Sequence, residues 1–144
     1  MAQNLPMTIS ADDSDPARIV TTVLRDDDRV LPCHRSAGRR WYPDVWDLPG
    51  GHVEEAEDPK ESLVHELREE LGITASEPPS PPIHKIRAAT FAMQIWLIDR
   101  WTGTPINAAP NDPDAVAWSE TSALDSLRLA HEPYLSMLTT VLAT

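Results

Sequence analysis

Ile19, Val20, Thr21, Thr22 and Val23 form a β-branched run that predicts a strand over residues 18–24, with a turn supplied by Asp26, Asp27 and Asp28. Residues 30–34 are its expected hairpin partner. A loop rich in cations and aromatics follows at 35–43, then a short strand over 45–48 that stops at Pro49, Gly50 and Gly51. The apolar period then becomes helical: Leu63, Val64, Leu67 and Leu71 share one stripe, which must face a core, while Glu66, Glu69 and Glu70 share another. Asp58 is placed to cap this helix, Pro59 suits its first position, Glu61 completes a box-like arrangement, and Gly72 is a left-handed terminator. Residues 77–82, with four prolines, read as a stiff extended connector. Beyond it, residues 83–90 and 93–101 predict two strands and 115–118 a last short one. A short helix over 121–129, capped by Thr121 or Ser122, and an amphipathic one over 133–142 complete the pattern. Residues 1–16 are polar and read as a loose tail before a single domain at 17–144.

Composition narrows the possible functions. The chain has 144 residues, 41% of them apolar, and no apolar run approaching the roughly eighteen of a membrane-spanning helix. A soluble globular domain with no membrane partner is expected. Its formal charge of −11 opposes binding to a nucleic-acid polymer, which needs a basic face that releases counterions. The acid is concentrated: Glu54, Glu55, Glu57, Asp58, Glu61, Glu66, Glu69 and Glu70 face only Lys60 and Arg68 in the same stretch. The lone Cys33 cannot form an internal disulfide and reads as a small buried residue, and the first ten residues lack a charged region followed by an apolar one. Both features predict a cytoplasmic protein. With fourteen prolines against five glycines, Gly50, Gly51 and Gly72 become informative.

Three carboxylates at i, i+3 and i+4 crowd one helical face, each like-charge pair costing about 0.2–0.5 kcal/mol unless neutralised. A divalent cation removes that penalty. Hard oxygen ligands suit Mg²⁺ or Mn²⁺, which can bridge a diphosphate and lower the pKa of an attacking water. Glycines at 50 and 51 let the backbone approach closely. His65 followed by Glu66 suggests a zinc motif, but Glu69 stands where its second histidine is required. Arg39, Arg40, Trp41 and Tyr42 could hold phosphate and stack a base. Trp96, Trp101 and Trp118 read as core or strand-edge residues, and His34, His52, His84 and His131 lack metal-ligand spacing.

The order Gly51, five residues, Glu57, seven residues, His65, Glu66, Leu67, Arg68, Glu69, Glu70, Leu71, Gly72, Ile73 closely resembles the Nudix box, with His65 where that family has arginine. The similarity to its MutT-like branch extends from Arg18 to about Leu142, through Arg35 and the lead-in Trp46, Asp47, Leu48, Pro49 to the double glycine. It implies an α/β fold, a Nudix-type α/β/α sandwich with a mixed β-sheet and a loop-helix-loop catalytic motif. It implies Glu66, Glu69 and Glu70 as ligands of Mg²⁺ or Mn²⁺ with the Gly50 carbonyl, one of the glutamates or a distant carboxylate as general base, and Glu57 orienting loop and helix. Arg35 would face phosphate, and Asp112 and Asp114 lie near a loop where relatives place an additional acid. Where the branch uses an asparagine to read oxidised guanine, this chain has His131, which cannot present the same adjacent donor and acceptor. At the arginine position, His65 is shorter and lacks arginine's permanent charge and forked hydrogen bonds.

The implied activity is metal-dependent hydrolysis of a nucleoside diphosphate linked to X, first a nucleoside triphosphate, modified or not, giving monophosphate and pyrophosphate. ADP-ribose or a nucleotide sugar is the alternative substrate. A nucleotide-binding module weakened in catalysis through His65 is the alternative class. The partner is then a nucleotide small molecule, and the chain a monomer or homodimer.

Overall fold

The computed structural model describes residues 16–38, 42–108 and 115–144. The predicted tail therefore lies almost wholly outside the described residues. Strand β1 (Ala17–Asp26) runs at the centre, parallel to β8 (Phe91–Ile98) from the pair Ala17–Phe91 to the pair Leu24–Ile98. Its other edge is antiparallel, first to β5 (Gly50–His52) and then to β2 (Arg29–Val30). β7 (His84–Arg87) pairs with the far edge of β8, and β11 (Ser119–Glu120) lies beyond β2. One parallel pair among antiparallel ones makes the sheet mixed.

Side chains alternate across the strands and feed two cores. Val20, Leu24, Trp96 and Ile98 join Leu63, Leu67 and Leu71 of α1 (Pro59–Leu71) on one face. Val23, Phe91, Met93 and Ile95 join Leu124 of α2 (Thr121–Leu124) and Tyr134 and Leu138 of α3 (Pro133–Leu142) on the other. This is the expected α/β/α sandwich. Among the described residues no helix is long and apolar enough to cross a membrane.

The ends of α1 follow from its sequence. Asp58 accepts a hydrogen bond from the Glu61 amide at 3.2 Å, Pro59 occupies the first turn, and Gly72 closes the helix at φ 68° and ψ 22°. The Gly72 amide donates to Arg68, and Ile106 and Ala108 donate to the Leu71 and Glu70 carbonyls.

Several elements differ from expectation. The hairpin partner predicted at 30–34 is split: β2 ends at Val30, while β3 (Cys33–Arg35) joins β4 (Val45–Asp47) and β10 (Ala115–Val116) in a three-stranded sheet. Pro32 lies at the break and has no amide proton for a ladder. The predicted strand at 115–118 breaks opposite it, so β10 faces β3 and β11 faces β2. The strand predicted over 93–101 starts earlier and stops at Ile98. Beyond Asp99 and Arg100, β9 (Trp101–Thr102) pairs with β6 (Thr74–Ala75), which the sequence pattern did not single out. Strands this short have no readable period.

The double glycine, read as a strand terminator, itself pairs with β1. A Cβ on Gly50, at φ 151°, would stand 2.0 Å from the Val20 carbonyl oxygen, so only glycine permits this approach. The helix predicted over 121–129 ends at Leu124. Residues 128–130 instead zip onto β4, through Trp46 N–H to Arg128 O at 2.7 Å and Ala130 N–H to Trp46 O at 2.8 Å. Tertiary hydrogen bonds replace helical ones there, and His131 is carried to the sheet as a result.

Candidate active site

A cleft of about 870 Å³ runs from Gly50, Gly51, Glu66 and Glu70 at one end to Tyr42, Phe91 and His131 at the other. At the acidic end, α1 places Glu66 and Glu70 one turn apart on the side facing β5. A Cβ on Gly51 would lie 2.8 Å from the Glu66 Cδ, so the glycine makes room for that carboxylate. The Gly50 amide donates to the Glu70 carboxyl group. Burial, followed by the charge and hydrogen bonding of Glu66, pushes the Glu70 pKa up to about 9, and burial likewise raises that of Glu66. The same end reaches Cys33, whose thiol is pushed up by burial and then by the charges of Glu70 and Asp47.

Glu57 sits behind this end, at the joint between loop and helix. Its Oε1 accepts from the Glu54 amide at 2.9 Å and from the Ser62 hydroxyl at 2.7 Å. The Ser62 bond, then the Glu54 one, holds its carboxyl below the usual range. Arg18 donates to the Glu57 carbonyl at 3.1 Å. Loop, helix and central strand are therefore tied at one residue.

The opposite end is aromatic. The His131 ring lies 4.9 Å from Tyr42, 5.3 Å from Phe91 and 5.1 Å from Tyr134 between centroids. Burial, then the charge of Arg35, lowers its pKa, with Asp47 acting the other way. Arg35 lines the cleft, and its Nε donates to the Tyr42 carbonyl at 3.1 Å. Asp47 lies between the ends: its Oδ1 accepts from the Tyr134 hydroxyl at 2.7 Å and from the Leu48 amide at 2.8 Å.

Of the residues singled out in the sequence, the cleft brings together Gly50, Glu66, Glu70, Arg35 and His131. Glu69 and His65 lie on the exposed side of α1, with His65 Nε2 3.2 Å from Glu69 Oε1. Arg39, Arg40, Trp41, Asp112 and Asp114 lie outside the described residues. Sequence reasoning passed over Asp47, Phe91 and Tyr134. Asp47 could have been found as the acid inside the lead-in to the double glycine. Phe91 and Tyr134 give no local signal, since an aromatic on a strand or helix usually means core.

Among the described residues no three His, Cys, Asp or Glu side chains converge on one point; two carboxylates, Glu66 and Glu70, do. None of the described lysines or arginines forms a salt bridge with either. Two partly buried carboxyl groups that must share a proton to coexist are the donor set a hard divalent cation stabilises, so these residues fit such an ion.

The NUDIX domain model matches residues 14–138. The 8-oxo-dGTP diphosphatase of Escherichia coli K12 is 28% identical over 96 residues, 61% of this chain and 70% of that protein. The CTP pyrophosphohydrolase of the same strain is 30% identical over 88 residues, covering 60% of this chain and 64% of that protein. Among solved structures, a MutT studied from Aliivibrio salmonicida and Vibrio cholerae superposes with a TM-score of 0.76 at 21% identity, over 88% of this chain and 99% of that one. The MutT Nudix hydrolase of Burkholderia pseudomallei gives 0.75 at 22% identity, over 88% and 98%. These structural likenesses are likenesses of fold. With the box residues folded as a glycine strand against a glutamate helix, and the domain model spanning nearly the whole chain, this protein belongs to the Nudix family.

Proposed function

We propose that the chain is a Mg²⁺- or Mn²⁺-dependent hydrolase of nucleoside triphosphates, releasing monophosphate and pyrophosphate, within one domain over residues 17–144. The observation that carries this reading is a single cleft with a partly buried carboxylate pair at one end and an aromatic wall at the other. It suits a ligand with a polyphosphate and a planar base. Two similar curated proteins are named for triphosphate substrates, 8-oxo-dGTP and CTP, which favours a triphosphate over ADP-ribose or a nucleotide sugar.

Glu66, Glu70 and the Gly50 backbone would hold the cation, while Glu69, the third acid of the box, is turned to His65. When bound, the cation supplies positive charge against the phosphates and polarises water. Arg35, which lines the cleft and donates from its Nε to the Tyr42 carbonyl, would supply positive charge toward phosphate. Glu57 holds the loop so that the glycines stay against the glutamates. His131, with Tyr42 and Phe91, would form an aromatic wall against which the base lies.

The test is release of pyrophosphate or phosphate from the common nucleoside triphosphates, oxidised dGTP, ADP-ribose and a nucleotide sugar, with Mg²⁺ or Mn²⁺. Wild type, Glu66→Gln and Glu69→Gln would be compared. The reading expects metal-dependent turnover of triphosphates that Glu66→Gln loses. Turnover confined to ADP-ribose or sugars would replace the substrate class. No turnover with nucleotide binding intact would favour the binding module, with His65 as its cause.

A further inference from the structure

The lead-in acid Asp47 has a place in the cleft that the hydrolytic reading leaves unused. Its Oδ1 takes two hydrogen bonds, from Tyr134 Oη at 2.7 Å and from the Leu48 amide at 2.8 Å. Tyr134 is fully buried on α3, so the carboxylate is gripped by one fixed hydroxyl and by the backbone beside it. The Oδ2 has no hydrogen-bond partner among the described residues, and Asp47 lines the cleft with His131, Phe91, Met93 and Ile19. An acceptor fixed in direction therefore stands beside an apolar and aromatic stretch of the lining, with the Arg35 cation nearby.

A carboxylate offers acceptors only, whereas a neutral imidazole offers one donor and one acceptor and can suit either kind of base edge. His131 is held neutral by its burial, and so does not choose. Asp47 does. A base with an exocyclic amino group directs N–H at Oδ2, while an oxo group there would set lone pairs against lone pairs and leave a desolvated charge without a partner. We infer that Asp47, clamped by Tyr134, is the specificity-determining residue of this cleft and selects nucleobases carrying an exocyclic amino group over their oxo or unsubstituted counterparts. This rests on the base occupying the aromatic end, as in the nucleotide reading above.

Two substrate pairs isolate the amino group: CTP against UTP, and GTP against ITP. With Mg²⁺, wild type should favour the amino member of at least one pair by about tenfold or more in kcat/KM, and the difference should sit in KM. Asp47→Asn keeps an Oδ1 for Tyr134 and Leu48 but turns the free position from acceptor to donor. That preference should then vanish or reverse, a response that a purely structural Asp47 would not give. Tyr134→Phe keeps the carboxylate and frees its direction, so the preference should narrow without reversing.

Binding of CMP, UMP, GMP and IMP, followed by tryptophan fluorescence, gives the same comparison without turnover. Amino-selective binding lost in Asp47→Asn, in a chain that hydrolyses none of the triphosphates, would uphold the inference while overturning triphosphate hydrolysis. Wild-type ratios within twofold of unity for both pairs would overturn it. So would an Asp47→Asn protein, folded by circular dichroism, that keeps the wild-type preference.

Discussion

The two ends of the cleft are built in different ways. Its acidic end comes from one continuous stretch: β5, the loop fastened by Glu57, and α1 lie within residues 50–71, and the glycine backbone packs directly on the glutamate side chains. Its aromatic end is gathered from distant places, Tyr42 before β4, Phe91 on β8, and His131 and Tyr134 around the start of α3, with Asp47 at the end of β4 bordering it. A local unit can hold the same chemistry while the rest of the chain varies. A wall assembled from several segments can change one residue at a time, so the proposed reading puts substrate preference there. Changes at the acidic end should then act on the rate for every substrate, and changes at the other end on which substrate is held.

The largest effect is expected at the acidic end. Glu70→Gln should lower kcat by about 100-fold or more on every triphosphate turned over, since on the proposed reading it removes one of the carboxylates that would hold the cation. Its melting temperature in EDTA should hold or rise, since the change removes a partly buried carboxyl repelled by Glu66. A fall in kcat confined to one base would break the division between the ends. Next come the two glycines, which should fail differently. Gly50→Ala sets a Cβ against the Val20 carbonyl and should destabilise the fold by about 3 kcal/mol or more in urea unfolding. Gly51→Ala meets only the end of the Glu66 side chain, so the fold should survive while turnover falls.

His65→Arg should give a smaller response. An arginine offers a forked donor in place of one ring nitrogen 3.2 Å from Glu69, and kcat should rise by about threefold with KM little changed. Unchanged or reduced turnover would show that the exposed pair is already adapted. The smallest effect concerns pH at the aromatic end. His131 is neutral in the fold below the pH at which the unfolded chain takes up its proton, near 6.5. Its contribution is therefore present above about pH 6.5 and is lost as pH falls toward the folded value. An NMR titration should place the ring below 6.5, and His131→Gln should flatten that part of the stability curve. A His131 that titrates at or above 6.5 would contradict its burial between Tyr42 and Phe91.

The helix and glycines of the box were legible in the sequence because their determinants are local. A capping aspartate, a proline, a terminating glycine and a stripe at helical period act within a few residues of one another, and α1 begins and ends where they say. The long strands β1 and β8 were legible for the same reason; the layering was implied only by the family resemblance, and in the structure alternation along each strand divides the two cores. Shorter elements were not. β6, β9 and the split of β2 from β3 depend on which neighbour satisfies a backbone group, and a two-residue strand carries no pattern of its own.

The sequence by itself determined the family resemblance, the acidic helix and the backbone freedom at Gly50 and Gly51. Tertiary structure decided which carboxylates meet. Glu66 and Glu70 turn into the cleft while Glu69, on the same predicted face, turns to His65, because a spacing of three or four residues fixes neighbours on a helix but not which of them a sheet will cover. It also decided that residues 128–130 leave the helical path to pair with Trp46, which brings His131 to Phe91 and leaves Tyr134 to grip Asp47. Those contacts join residues up to 87 positions apart, and their energies exist only once the central sheet has formed.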